Sequence, residues 1–146
     1  MYQIENKLQS EHIREYILAG NSTITVYSHK CGDHFTYKIV RDKFQKDCYR
    51  VYLLYGQDND KDFRFIGVFY NDFAQYVLPG LYRRGEYAQP VPLSIQVIRF
   101  VLENAPNLPE TISVLHSGRC AKCGRKLTTP ESLMTGFGPK CRRIVR

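Results

Sequence analysis

Three cysteines near the end of this 146-residue chain have metal-ligand spacing: Cys120, Cys123 and Cys141. The turn Cys120-Ala121-Lys122-Cys123-Gly124 is suited to offering two thiolates to one ion. Its amides bend toward the sulfurs, and the glycine takes the left-handed conformation that closes the turn. Cys141 adds a third sulfur, and His116, four residues before Cys120, is the candidate fourth ligand. Three thiolates and an imidazole closed around one Zn2+ make a structural site rather than a catalytic one. Cys31, Cys48 and His29 compete for the fourth position if the first hairpin folds over the module. The run His29-Lys30-Cys31-Gly32-Asp33-His34 crowds ligand types into six residues, but no second cluster completes a set, so it reads as a hairpin turn. Cys48 opens a half-buried strand and reads as packing.

Other chemistries lack their residues. A zinc deaminase needs His-x-Glu and Pro-Cys-x-x-Cys, whereas Arg119 precedes Cys120 and no His-x-Glu occurs. There is no His-Glu-x-x-His, no Gly-x-Ser-x-Gly and no phosphate loop. Asp58, Asp60 and Asp62 alternate as in a calcium loop, but Phe63 and Phe69 stand where the glycine and glutamate belong. The expectation is a non-enzymatic protein.

The elements that must position the ligands follow from periodicity. Residues 10–20 read as a helix capped by Ser10, with Ile13, Tyr16 and Ile17 on one face and Gly20 at its end. Two hairpins follow: strands at 23–28 and 35–40, then at 48–55 and 63–70. Apolar residues occupy both parities of these strands, so both sheet faces are expected to be covered. Residues 79–92, with Pro79, Gly80, Gly85, Pro90 and Pro92 around Arg83 and Arg84, read as a crossing loop. Residues 93–103 read as a helix whose inner stripe is Leu93, Val97, Phe100 and Val101. A strand at 111–115 delivers His116, and Thr129-Pro130-Glu131-Ser132 starts a short helix ended by Gly136. The expected fold class is α+β: a four-stranded antiparallel sheet with two helices (1–110), then a zinc-ribbon or treble-clef-like module with a basic tail (111–146).

Charge is concentrated in that module. Residues 116–146 hold eight of the 21 basic side chains and one of the 14 acidic ones, leaving 13 of each upstream. The formal charge of +7 therefore sits wholly on the last 31 residues. Such a field attracts polyanions. No segment is apolar and long enough to span a membrane, and the first ten residues lack a signal-peptide pattern, so a reducing cytoplasm is expected. An odd cysteine count fits zinc better than a disulfide framework.

Gly118-Arg119-Cys120, Cys123-Gly124-Arg125, Leu127-Thr128, Pro130-Glu131-Ser132 and Gly136-Phe137-Gly138-Pro139 with Cys141 resemble a zinc module recurrent in bacteriophage and prophage proteins of a family of unknown function. Upstream, Ala19-Gly20-Asn21, Thr23, Thr25, Phe35-Thr36-Tyr37, Gly56, Asp58-Asn59 and Gly67 resemble the sheet domain that often precedes it. The resemblance spans most of residues 19–141 and implies a phage-type origin, action in a host cytoplasm and a structural zinc. It implies no activity.

Nucleic-acid binding is the function these residues favour. Arg119, Lys122, Arg125 and Lys126 ride on the metal turn, and Lys140, Arg142 and Arg143 flank the third ligand, so both clusters can meet phosphates beside one zinc. The alternative is a protein-interaction module that occupies an acidic or nucleoprotein host complex, such as a CRISPR effector or restriction enzyme, with Arg83 and Arg84 as contacts. A zinc-dependent enzyme is the third reading.

Overall fold

The computed structural model describes residues 7–30, 32–56, 61–82, 89–105 and 107–122. The first helix, α1 (Ser10–Ile17), buries Ile13, Tyr16 and Ile17, the stripe its spacing demands. Its N-cap is Gln9, without a side-chain cap bond, rather than the expected Ser10, which is the first helical residue. Ser22 Oγ donates to the Ile17 carbonyl (2.9 Å), tying the end of α1 to the sheet.

Strands β1 (Asn21–Ser28), β2 (His34–Arg41), β3 (Cys48–Leu54) and β4 (Phe63–Tyr70) form the expected antiparallel meander. The sheet nevertheless has six strands, not four, in the order β5-β4-β3-β2-β1-β6. The short β5 (Gln75–Val77) follows a 3-10 turn at Asn71–Phe73 and pairs with β4. At the other edge β6 (Ile112–His116) runs antiparallel to β1, with Ile24 opposite His116 and Ser28 opposite Ile112. The strand expected to deliver His116 is thus an integral strand of the sheet. Its free side is partly covered: Lys7 bridges Leu115, and the Leu8 amide donates to the Val114 carbonyl (2.8 Å).

The second helix, α2 (Leu93–Asn104), lies on the same sheet face as α1. Tyr37 at the centre of β2 donates its hydroxyl to the Ser94 carbonyl (2.5 Å), and Tyr16 from α1 reaches the Thr23 carbonyl (3.4 Å). Burial pushes the Tyr37 phenol well above its usual range. The buried stripe of α2 is Ser94, Ile95, Ile98, Val101 and Leu102. The expected stripe is corrected in part: Val101 is buried and Val97 packs against the core, but Leu93 is 46% exposed and Phe100 42% exposed. Apolar residues surround most of this helix, so two stripes satisfy the helical period, and docking on the sheet selects between them.

One core results, built from α1, α2 and one sheet face, with Ile24, Val26, Tyr37, Ile39, Val51, Phe69 and Ile98 at its centre. The pairing of β3 with β4 shifts register between Val51 and Tyr52. The bulge lets both Ile66 and Phe69 turn inward despite their opposite parity. Beside it Gly67 (φ 152°) lies directly under the Tyr76 ring, whose hydroxyl donates to the Ile66 carbonyl (2.6 Å). A methyl group there would overlap that ring and force an L-residue into a glycine conformation. Gly67→Ala is expected to lower unfolding stability by about 1–3 kcal/mol, read as a reduced urea midpoint at unchanged slope. No described helix is long and apolar enough to cross a membrane.

Candidate nucleic-acid interface and metal-ligand segment

The segment leaving β6 is fastened to the core atom by atom. His116 is buried beside the Tyr16 ring (centroids 5.6 Å apart), and its Nδ1 accepts from the Gly118 amide (2.9 Å). Gly118 takes φ 81°, a left-handed turn open to glycine, and so brings its amide back over the imidazole. The Tyr16 hydroxyl donates to the Arg119 carbonyl (3.2 Å), and the Asn21 amide donates to the Ala121 carbonyl (2.8 Å). Cys120 and Ala121 are thereby buried at the end of the sheet where β1 begins. Burial pushes the Tyr16 phenol up to about 12.

Of the four candidate ligands, His116 and Cys120 lie on this segment, while Cys123 and Cys141 lie outside the described residues. Among the described residues no three His, Cys, Asp or Glu side chains gather in metal-binding geometry. Cys120 fits a structural thiolate: it is buried, on a backbone held at both flanks. His116 fits less directly. With Nδ1 accepting from an amide, the neutral ring carries its proton on Nε2. A histidine that ligates through Nε2 instead donates from Nδ1 to an acceptor. Ligation through Nε2 would therefore require the proton to move and the Gly118 bond to be given up, whereas ligation through Nδ1 would displace the Gly118 amide and leave the proton on Nε2.

Two competitors for the fourth position are placed. His29 stands at the far end of β1, where its Nε2 lies 2.6 Å from Ser113 Oγ. Eight residues of strand separate it from Asn21, roughly 26 Å at the strand rise, so it cannot share an ion with Cys120. Cys48 is buried at the start of β3, and burial raises its thiol above the usual range, which favours a packed thiol. Cys31 lies outside the described residues.

The sheet face opposite the helices carries a row of aromatic and basic side chains. It meets no described helix, and the burial of β1 alternates strictly from Ser22 to Val26. Registered across this face are Thr23, Lys38, Tyr52 and Phe65, one from each of four adjacent strands. Phe65 is 40% exposed and meets Tyr52 edge-on (centroids 5.9 Å). Arg50 lies over the Phe65 ring (5.3 Å) and Lys38 over Phe63 (5.9 Å). At the sheet's end Arg64 lies over exposed Tyr55 (4.9 Å). Aromatic planes interleaved with cations on a β-surface are what unpaired bases and phosphates require. The residue types were visible in the sequence, but their shared face was not.

Of the basic residues expected to contact phosphate, Arg119 is exposed and Lys122 half-buried beside the start of β1. Arg125, Lys126, Lys140, Arg142 and Arg143 lie outside the described residues, as do Arg83 and Arg84. Sequence reasoning missed Arg14 and Arg41. Both line an open cleft of about 520 Å³ with Glu15, Leu18, Ala19, Tyr49, Asn71 and Lys122.

No curated protein and no solved structure matches the chain. Residues 113–146 are similar to DUF6011, a family of unknown function, and the similarity begins inside β6 and runs through all four candidate metal ligands.

Proposed function

We propose that this protein binds single-stranded nucleic acid, stacking bases on the sheet face that no described helix covers and holding phosphates with the basic C-terminal segment. The observation that carries the reading is the row Lys38, Tyr52, Phe65 with Arg50 above Phe65, on a face that no described helix covers. Stacking on aromatic rings tolerates any base, and the cations beside the rings supply the phosphate attraction. In this reading Cys120, Cys123 and Cys141 hold one Zn2+ that presents Arg119, Lys122, Arg125, Lys126, Lys140, Arg142 and Arg143 as one surface. His116 joins them by releasing the Gly118 amide. The module's resemblance to phage and prophage proteins suggests action in a bacterial cytoplasm, without catalysis.

The test is fluorescence anisotropy with labelled single- and double-stranded DNA and RNA across a salt series. Single strands are expected to bind more tightly than duplex, with log K falling against log salt by about 0.7 per phosphate contact. A zinc-loaded protein that binds no nucleic acid at low salt overturns the reading and directs the search to an acidic host protein.

A further inference from the structure

The cleft at the end of the sheet does more than extend a basic surface. Arg14 is immobilised from two sides: Nη2 donates to Asn71 Oδ1 (2.5 Å) and Nη1 to the Ala105 carbonyl (3.5 Å). Arg41 is held by the Tyr49 hydroxyl (3.3 Å) and the Leu18 carbonyl (3.5 Å), with its guanidinium over the Tyr49 ring (5.7 Å). Tyr49 is itself oriented by donating to the Leu18 carbonyl (2.9 Å). All these acceptors are neutral. Among the described residues neither arginine pairs with a carboxylate, unlike Arg99, which meets Glu103. Both guanidiniums are thus oriented by neutral acceptors among the described residues. Lys122 completes the wall, and Glu15 is the one acidic side chain lining it among the described residues.

Guanidinium groups preoriented by neutral acceptors keep donors free for an incoming anion and lose little freedom on binding it. The lining is mixed, with Leu18, Ala19 and Tyr49 beside the cationic and polar side chains. Beside it the loop after β2 carries Phe44, 97% exposed, between Lys43 and Lys46. Arg41 lines both the cleft and the hollow under this loop. The loop's shape is fixed by Asp42, whose Oδ1 accepts from the Phe44 (2.9 Å) and Gln45 (3.1 Å) amides, bonds that hold its carboxyl below the usual range.

We infer that Arg14, Arg41 and Lys122 form a phosphate-binding site, and that its ligand is a phosphate of a nucleotide chain whose neighbouring base stacks on Phe44. The source of the phosphate rests on the nucleic-acid reading; the anion chemistry of the cleft does not. The site lies on the helix-bearing side of the sheet, at the end where the DUF6011-like segment joins it, and is separate from the Tyr52–Phe65 row.

Calorimetric titration of the zinc-loaded full chain with inorganic pyrophosphate at low salt tests the cleft alone. Arg41→Gln and Lys122→Gln are each expected to weaken pyrophosphate binding about tenfold, while Phe44→Ala leaves it unchanged. The same panel titrated with a short single-stranded oligonucleotide should show losses in all three variants. Absence of pyrophosphate binding, or equal affinity in Arg41→Gln, Lys122→Gln and the parent protein with unchanged circular dichroism, overturns the site. An effect of Phe44→Ala equal for both ligands overturns the stacking role. Alanine at both Tyr52 and Phe65 keeps the readings apart: lost oligonucleotide affinity with intact pyrophosphate binding supports both, whereas unchanged oligonucleotide affinity removes the sheet face and leaves the cleft standing.

Discussion

Replacing both Tyr52 and Phe65 by alanine is expected to weaken binding of single-stranded DNA or RNA by about 2–6 kcal/mol, a loss of at least thirtyfold, because each stacked base contributes about 1–3 kcal/mol. The two rings sit side by side in register and Phe65 is exposed, so their removal costs stability far less than emptying a core position would. The expected pattern in anisotropy titrations is a large rise in Kd at every salt concentration with an unchanged salt slope. Arg50→Gln should do the opposite, with a modest rise in Kd and a shallower slope, since a guanidinium contributes a phosphate contact and an aromatic ring does not. Equal affinity of the double variant and the parent for single strands removes the sheet face from the interface.

The second large effect concerns the segment after β6. Cys120→Ser is expected to lose bound zinc and release residues 123–146, seen as substoichiometric metal by elemental analysis and new protease cleavage confined to the tail. Structural zinc supplies roughly 10–16 kcal/mol in small zinc-finger peptides, so in the proposed site the loss of one of three thiolates is expected to cost most of the binding free energy. Cys120 is also buried in the core, where the more polar serine adds about 1–3 kcal/mol of destabilisation. Cys120→Ala separates the two effects, since it removes the ligand without burying a hydroxyl. Cys48→Ser, equally buried but outside the ligand pattern, should retain one zinc. Full zinc occupancy in Cys120→Ser would falsify the ligand assignment.

Local pattern made much of this fold legible. The four strands of the meander were readable because β-branched and aromatic runs are separated by Gly and Asp turns, and α1 because Ile13, Tyr16 and Ile17 fall on one face. Non-local choices were not readable. Nothing in Ile112–His116 states that its partner is β1, far earlier in the chain, rather than the metal module alone. The inner stripe of α2 was misassigned in part because Ile95 and Ile98 obey the same period as Leu93, Val97 and Phe100. The shared face of Lys38, Tyr52 and Phe65 was not readable because Val40, Leu54 and Val68 on that face look as apolar as core residues, and because the bulge at Val51–Tyr52 turns Ile66 inward out of phase. The metal-ligand spacing and the charge of the last residues are local quantities and were countable. The convergence of Arg14, Arg41 and Lys122 depends on three turns of the chain meeting at one end of the sheet, which no local pattern encodes.

The place of β6 also sets a hazard during synthesis. The sequence of β1, Asn21-Ser22-Thr23-Ile24-Thr25-Val26-Tyr27-Ser28, is uncharged, β-branched and free of proline. Such a strand with an open edge is a template for intermolecular pairing. Its neighbour on that side is β6, the latest in sequence of the described strands, so nascent chains and fragments ending before residue 112 carry β1 bare on one flank. Such fragments should therefore assemble edge to edge, and the late arrival of β6, flanked by Lys7, acts as the cap that ends this exposure.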